Sequence, residues 1–194
     1  MGRQRIHVPG GLYHVTTRGN NRAALYHDEP DYSAFERTLA KVCERYEWAC
    51  HAYCLMPNHY HLVVETPEPN LAAGMHVLNL SYARWFNWRH SCIGHVFEAP
   101  YRDNPITEEP HLLQTYRYVA LNPVRARLCS MPEDWPWSSY SATAGLEPGP
   151  SFLRTDRVRG SFAWSESDGT AEFQEFVCAG LTSLKLAAAA YSNR

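Results

Sequence analysis

The stretch Met56-Pro57-Asn58-His59-Tyr60-His61-Leu62-Val63-Val64-Glu65 constrains this chain more than any other. Pro57-Asn58 reads as a turn entering a strand, and Leu62, Val63 and Val64 are β-formers. Side chains alternate along a strand, so His59 and His61 project from one face and Tyr60 from the other. Two imidazoles converging from one rigid strand are a natural start for a divalent metal site. The plain alternative is two unrelated surface histidines, since the chain holds ten.

The flanking sequence supplies a fold for that strand. Gly10-Gly11 marks a turn, and Leu12 to Thr17 reads as a first strand, rich in aromatic and β-branched residues. It runs into Arg18-Gly19-Asn20-Asn21-Arg22, a polar loop whose Gly and Asn tolerate positive φ and whose arginines suit phosphate. From Asp31, a candidate N-cap, to about Trp48, apolar residues at Phe35, Leu39, Val42 and Tyr46 predict a helix. A strand over about Ala49 to Met56 precedes the histidine strand, and Thr66 to Asn70 breaks the chain again. A second helix spans Leu71 to about His90, its apolar stripe being ordinary core. Val96 to Ala99 is a candidate fourth strand, followed by a loop over Pro100 to Asn104. A third helix runs from about Glu109 towards Asn122, where Pro123 interrupts it. The order β-α-β-β-α-β is the split β-α-β, ferredoxin-like pattern of an α+β fold: an antiparallel sheet with helices on one face and an added C-terminal helix. The first strand and the histidine strand would be central, a rigid seat for a site.

Size fits one domain with an appendage: residues 1–145 as the domain and 146–194 as an extension, weakly structured or without assignment. Asp134-Trp135-Pro136-Trp137-Ser138-Ser139-Tyr140 looks like an aromatic clamp folding back on the domain. A short apolar pattern near Phe173 to Leu181 and a frayed helical tail over Lys185 to Ala190 follow it. No stretch has the roughly 20 apolar residues that cross a bilayer, and the basic start lacks an apolar signal core, so the expected location is cytoplasmic. The six cysteines show no CxxC spacing, which favours reduced thiols over disulfides or zinc. Cys50 and Cys54 would share one strand face, in packing. Net charge is −2, but residues 133–194 hold eight acids against five bases, which leaves a basic face possible on the first part.

On the third helix, Tyr118 and Asn122 lie four residues apart and share a face. A phenol is a weak nucleophile, and a divalent cation at a scissile phosphate would help it by neutralising developing charge. Asn122 can give a neutral oxygen as third ligand, or cap a helix restarting at Pro123; the spacing leaves both open.

Met56-Pro57-Asn58-His59-Tyr60-His61, Arg18-Gly19-Asn20-Asn21 and Tyr118-Val119-Ala120-Leu121-Asn122-Pro123-Val124-Arg125-Ala126 together resemble the REP-associated tyrosine transposases, a branch of the single-tyrosine HUH transposases. Trp135 to Tyr140 extends the likeness, which covers roughly residues 5–145. The resemblance implies an endonuclease and strand transferase that binds single-stranded DNA, often hairpin-forming repeats, and cuts it with Mg²⁺ or Mn²⁺. Carried over, His59 and His61 are metal ligands and Tyr118 the nucleophile, forming a 5′-phosphotyrosine and a free 3′-hydroxyl. Related insertion-sequence enzymes carry Gln four residues after the tyrosine, where Asn122 stands here. Arg18, Asn20, Asn21, Arg22, Arg102, Arg117 and Arg125 are the candidate DNA contacts. Tyr116 is the nearby rival tyrosine, but its i+4 position is Ala120, which binds no metal.

Three rival readings fit these residues less well. A histidine-triad hydrolase needs a third histidine where Val63 stands. A zinc-stabilised structural protein needs closely spaced thiolates. A non-catalytic nucleic-acid-binding module on the same fold would use the same arginines, but has no use for His59, His61 and Tyr118 together. The chain is expected to act as a monomer or a homodimer.

Overall fold

The structure, a computed structural model, describes residues 7–192, and their side chains as far as residue 182. Arg3 and Arg5 of the basic start, and the side chains of the Lys185–Ala190 tail, lie outside the described residues. Strand β1 (Gly11–Arg18) leads to helix α1 (Glu29–Tyr46), strands β2 (Ala49–Met56) and β3 (His59–Thr66), and helix α2 (Leu71–His90). Strand β4 (Arg102–Pro105) and helix α3 (Glu109–Arg125) follow. The sheet order is β2-β3-β1-β4, every neighbouring pair antiparallel, with β1 and β3 in the middle as the pattern of elements requires.

Alternation along the central strands gives the sheet two unlike faces. Tyr13 and Val15 of β1 and Tyr60, Leu62 and Val64 of β3 bury against Phe35 and Leu39 of α1 and Met75, Leu78 and Tyr82 of α2. The other face carries Leu12, Ala52, Cys54, Met56 and Val63, packed against Leu112, Tyr116, Val119 and Ala120 of α3. At about 25 cal/mol per Å² of apolar surface, each fully buried Leu or Phe contributes roughly 1.5–3 kcal/mol.

Several local expectations are corrected. The N-cap of α1 is Asp28, not Asp31: the Asp28 side chain accepts from the Asp31 N–H. Asp31 is instead fully buried, where it accepts from the His27 N–H at 2.7 Å and meets Arg89 and His90 from the end of α2. A buried carboxylate needs such partners, and their presence ties α2 to α1. The fourth strand is not Val96 to Ala99 but the polar segment Arg102–Pro105, in the expected loop. Val96 and Phe97 pack on the core and make one bridge, Gly19 to Phe97. As the strand β4 borders only β1, Pro105 is tolerated at its end. Helix α3 does not stop at Asn122 but runs through Pro123 to Arg125, so Asn122 caps nothing; its Nδ2 donates to the Tyr118 carbonyl at 3.5 Å. Proline inside a helix removes one N–H, and this helix carries the loss within its last turn. Cys50 and Cys54 do not share a face: a bulge between Cys50 and Ala52 shifts the alternation, leaving the two thiols in opposite cores. All six cysteines are free.

The aromatic clamp forms as expected. Leu55 N–H donates to the Trp137 carbonyl at 2.8 Å, Ser139 N–H to the Tyr53 carbonyl at 2.9 Å, and Trp137 stacks on Tyr32 at 4.5 Å. These bonds cover the outer edge of β2, which would otherwise offer open strand hydrogen bonds. Beyond it the expectation of weak structure is not met. Short helices α4 (Tyr140–Thr143) and α5 (Thr155–Gly160) and the long helix α6 (Thr170–Ser192) follow. Phe173, Val177 and Leu181, spaced by four, put one face of α6 into the same core as α3. Gly180 permits the close approach, for a Cβ there would lie 2.8 Å from both Arg117 Cδ and Leu121 Cδ1. The apolar stripe of α6 has a surface to bury, which is why the segment orders. Among the described residues no helix is long and apolar enough to cross a membrane.

Candidate active site

The open half of the α3-side face holds the site. His59 and His61 point there from β3, and β1 adds His14. In the β1–β3 register Thr16 lies opposite His61 and His14 opposite Val63, so His14 is His61's diagonal neighbour on one face. Their side chains meet, His14 Nε2 lying 2.9 Å from His61 Nδ1. The His59 and His61 rings are 5.1 Å apart, centroid to centroid, and nearly perpendicular. Asn58 Oδ1 lies 2.8 Å from His59 Nδ1 and, as an acceptor, holds the ring with a proton on that nitrogen.

Helix α3 crosses above this floor. Tyr116 turns into the core, whereas Tyr118 is 37% exposed. The Tyr118 ring stands 5.4 Å from His61 and 5.9 Å from His14, edge-on to both, with the Arg125 guanidinium 5.2 Å over it. Tyr118 and the three imidazoles line a cleft of about 830 Å³, rimmed by Arg18, Arg22 and Arg102. The basic turn is fastened to the turn before β3: Gly19 N–H donates to the Asn58 carbonyl at 2.8 Å and Leu25 N–H to that of Pro57 at 2.7 Å. Gly19 is there for closeness, since a Cβ would sit 2.2 Å from the Ala23 carbonyl oxygen. Asn21 and Arg22 take the positive φ, 50° and 60°.

All three floor imidazoles are held neutral. Burial, then the charge of His111, pushes His14 down to about 4; burial, then Arg18, does the same for His59. His61 is likewise held well below its ordinary value, chiefly by burial and then by its two histidine neighbours and Arg18. Neutral imidazoles are the ligating form. His61 Nε2 is a buried nitrogen with no hydrogen-bond partner. An orphaned ring nitrogen beside a second neutral imidazole fits the nitrogen half of a divalent cation's donor set. Among the described residues no three His, Cys, Asp or Glu side chains converge as a closed metal cage. Remaining donors would be oxygens, from an amide, water or substrate phosphate, which is the open arrangement of a catalytic ion.

The expected residues are thus partly gathered. His59, His61, Tyr118, Arg18, Arg22 and Arg102 all line the cleft. Asn20 and Asn21 sit in the adjoining tight turn, and Arg125 lies on Tyr118. Asn122 is buried behind Tyr118 rather than among the cleft-lining side chains. Arg117 is turned away, its guanidinium 4.3 Å over Phe176 of α6. Sequence reasoning passed over His14, Glu98, His111 and Gln114, which also line the cleft. For His14 a signal existed: alternation in Leu12 to Thr17 sets it on the face opposite Tyr13 and Val15.

The split β-α-β sheet thus carries neutral imidazoles and an exposed tyrosine in one arginine-rimmed cleft. The sequence profile of the family described as "Transposase IS200 like" matches residues 7–122, more than half of the chain, and the chain belongs to that family. It is 28% identical over 152 residues to a Haemophilus influenzae protein whose name assigns it to the REP-associated tyrosine transposases, covering 71% of this chain and 84% of that one. Its fold is similar to the solved structure of a REP-associated tyrosine transposase bound to a REP hairpin, with TM-score 0.67, 17% identity, and coverage of 79% of this chain and 94% of that one.

Proposed function

We propose that this chain is a metal-dependent endonuclease and strand transferase for single-stranded DNA, acting beside hairpins through a transient 5′-phosphotyrosine at Tyr118. The observation that carries the reading is the exposed Tyr118 ring, held within 6 Å of two neutral imidazoles at the floor of an arginine-rimmed cleft. The hairpin ligand of the solved relative motivates the substrate class. A DNA substrate goes with cytoplasmic residence, as monomer or homodimer.

His59 and His61 would hold Mg²⁺ or Mn²⁺; Asn122, whose Nδ2 donates to the Tyr118 carbonyl, would add its free amide oxygen as a third donor only by turning it into the cleft it does not now line. The ion, when bound, would polarise the scissile phosphate and offset its growing charge. Arg18, Arg22 and Arg102 receive the phosphodiester backbone, with Asn20 and Asn21 alongside. Arg125 steadies the Tyr118 ring and adds positive charge beside it. The Tyr118 oxygen gives up its proton and forms a bond to phosphorus. The bond from phosphorus to the 3′-oxygen breaks, and that oxygen takes a proton. The 3′-hydroxyl of another strand can reverse the step, so bond energy is conserved and no nucleotide triphosphate is needed. Residues 1–145 form the catalytic unit, and 146–194 an extension that braces α3.

The test incubates the full chain with a hairpin-bearing single-stranded DNA library and Mn²⁺ and looks for a denaturant-resistant protein–DNA adduct. The reading expects an adduct in wild type and Tyr116→Phe, and none in Tyr118→Phe or His59→Ala. Shifted but uncut DNA under every condition would establish a non-catalytic binding module instead.

A further inference from the structure

His14 has no task in the reading above beyond lining the cleft, yet its Nε2 is 2.9 Å from His61 Nδ1. Two neutral imidazoles facing each other through nitrogens must share one proton, and the sharing has two forms. If His14 Nε2–H donates, His61 Nδ1 accepts and its proton moves to Nε2. That nitrogen is buried with no partner, so the arrangement would leave an unsatisfied buried donor and no lone pair for a cation. If His61 Nδ1–H donates, Nε2 keeps its lone pair and His14 is the acceptor.

We propose that His14 is a positioning residue that accepts a hydrogen bond from His61 Nδ1–H and so locks His61 in the tautomer whose Nε2 binds the divalent cation. The partner of a ligating histidine fixes both its tautomer and its ring orientation. Strand β1 is suited to the task. It is paired on both sides, by β3 and β4, and Val15 beside His14 is fully buried. His14 is also packed by the ring of Tyr118 at 5.9 Å, and its plane lies only 24° from that of His61 with centroids 5.2 Å apart, the edge-to-edge geometry of an in-plane hydrogen bond, so its own orientation is fixed. A carboxylate in this place would accept the same proton but would set a negative charge in the cleft where a phosphodiester must enter. An imidazole accepts without that repulsion.

This inference rests on His61 being a metal ligand, and its test reads the proton as well as the metal. Long-range ¹H–¹⁵N spectra of the metal-free full chain, labelled at histidine, give the His61 tautomer in wild type, His14→Leu and His14→Gln. Mn²⁺ titrations followed by electron paramagnetic resonance give the affinity of each, and circular dichroism confirms that each is folded. The expected result is His61 protonated at Nδ1 in wild type, a mixed tautomer in His14→Leu and a Mn²⁺ affinity lower by about 10–100-fold. His14→Gln, whose amide oxygen can accept near the place of Nε2, should recover most of that loss. A wild-type His61 protonated at Nε2 overturns the proposal, as does a folded His14→Leu that binds Mn²⁺ like wild type. Were wild type to bind no Mn²⁺ at all, the metal reading would fall, and the proposal's metal half with it; the tautomer spectra would still decide whether His14 sets the proton. If His14→Leu does not fold, wild type and His14→Gln carry the same decision.

Discussion

The two faces of the one sheet divide the work of this protein. On the face under α1 and α2, β3 sets Tyr60, Leu62 and Val64, all fully buried in a single aromatic-rich core. On the other, the same strand sets His59 and His61 at the cleft and only then Val63 under α3. Adjacent Tyr60 and His61 thus differ more in chemistry than His14 and His61, which lie 47 positions apart on one face. The lesson is that stability and reactivity are separated by the pleat. The α1/α2 core, and the smaller core under α3, hold the strand still, so the open half of the α3-side face can keep polar groups at fixed distances.

That division is best broken by substitutions matched across the sheet. The largest expected effect is on chemistry alone: Tyr118→Phe should lower strand cleavage by more than about a thousandfold, read as adduct yield, while the melting temperature stays near wild type. The counterpart is Leu62→Ala, which opens a cavity between α1 and the sheet. It should cost about 2–5 kcal/mol in denaturant unfolding, with near-normal cleavage at temperatures where the variant is folded. If Leu62→Ala abolished cleavage while fully folded, the faces would not be separable in this way.

Titration sharpens the contrast. His14 and His59 are each held near 4, mainly by burial, against an ordinary value of 6.5. Between those values the unfolded chain binds protons that the folded chain does not, so stability is full above pH 6.5 and falls as pH drops towards 4. Thermal melts across that window should slope accordingly, and His59→Asn should flatten part of the slope. By the same shifts, Mn²⁺ binding should persist well below pH 6.5 instead of failing there.

Smaller effects concern the rim and the brace. Alanine at Arg18, Arg22 or Arg102 should weaken binding of unrelated single strands about equally and reduce the salt slope by about 1 each. Arg117→Ala should leave that slope unchanged, because its guanidinium is engaged with Phe176. Gly180→Leu should destabilise by about 1–3 kcal/mol by forcing α6 away from Arg117 and Leu121.

Much of this was legible in the residues. The Leu62-Val63-Val64 run and the Phe35, Leu39, Val42 spacing are strong periodic signals, and they fix the element order and the central strands. Strand β4 was not, because Arg102–Pro105 is a polar edge segment with little to bury, while the apolar Val96-Phe97 nearby imitates a strand. Asp31 looked like a cap since its partners, Arg89 and His90, lie some 60 residues on and are brought in only by α2. Tyr118 and Arg102 could be named from the sequence, but Arg117 could not be told apart from them: which way a helical arginine faces depends on α6, whose packing surface exists only in the fold. His14 shows the same limit. Its face is readable from alternation, but its contact with His61 depends on a register between strands 47 residues apart.

The most direct test of the central claim is to map the covalent bond. After reaction with hairpin DNA and Mn²⁺, the adduct is trimmed with nuclease and digested with trypsin, which cuts after Arg117 and so separates Tyr116 from Tyr118. The account predicts a nucleotide phosphate on the peptide Tyr118–Arg125, and on Tyr118 itself by fragmentation. A phosphate on the Tyr116 peptide, or strand cleavage with no protein-bound nucleotide, would contradict it.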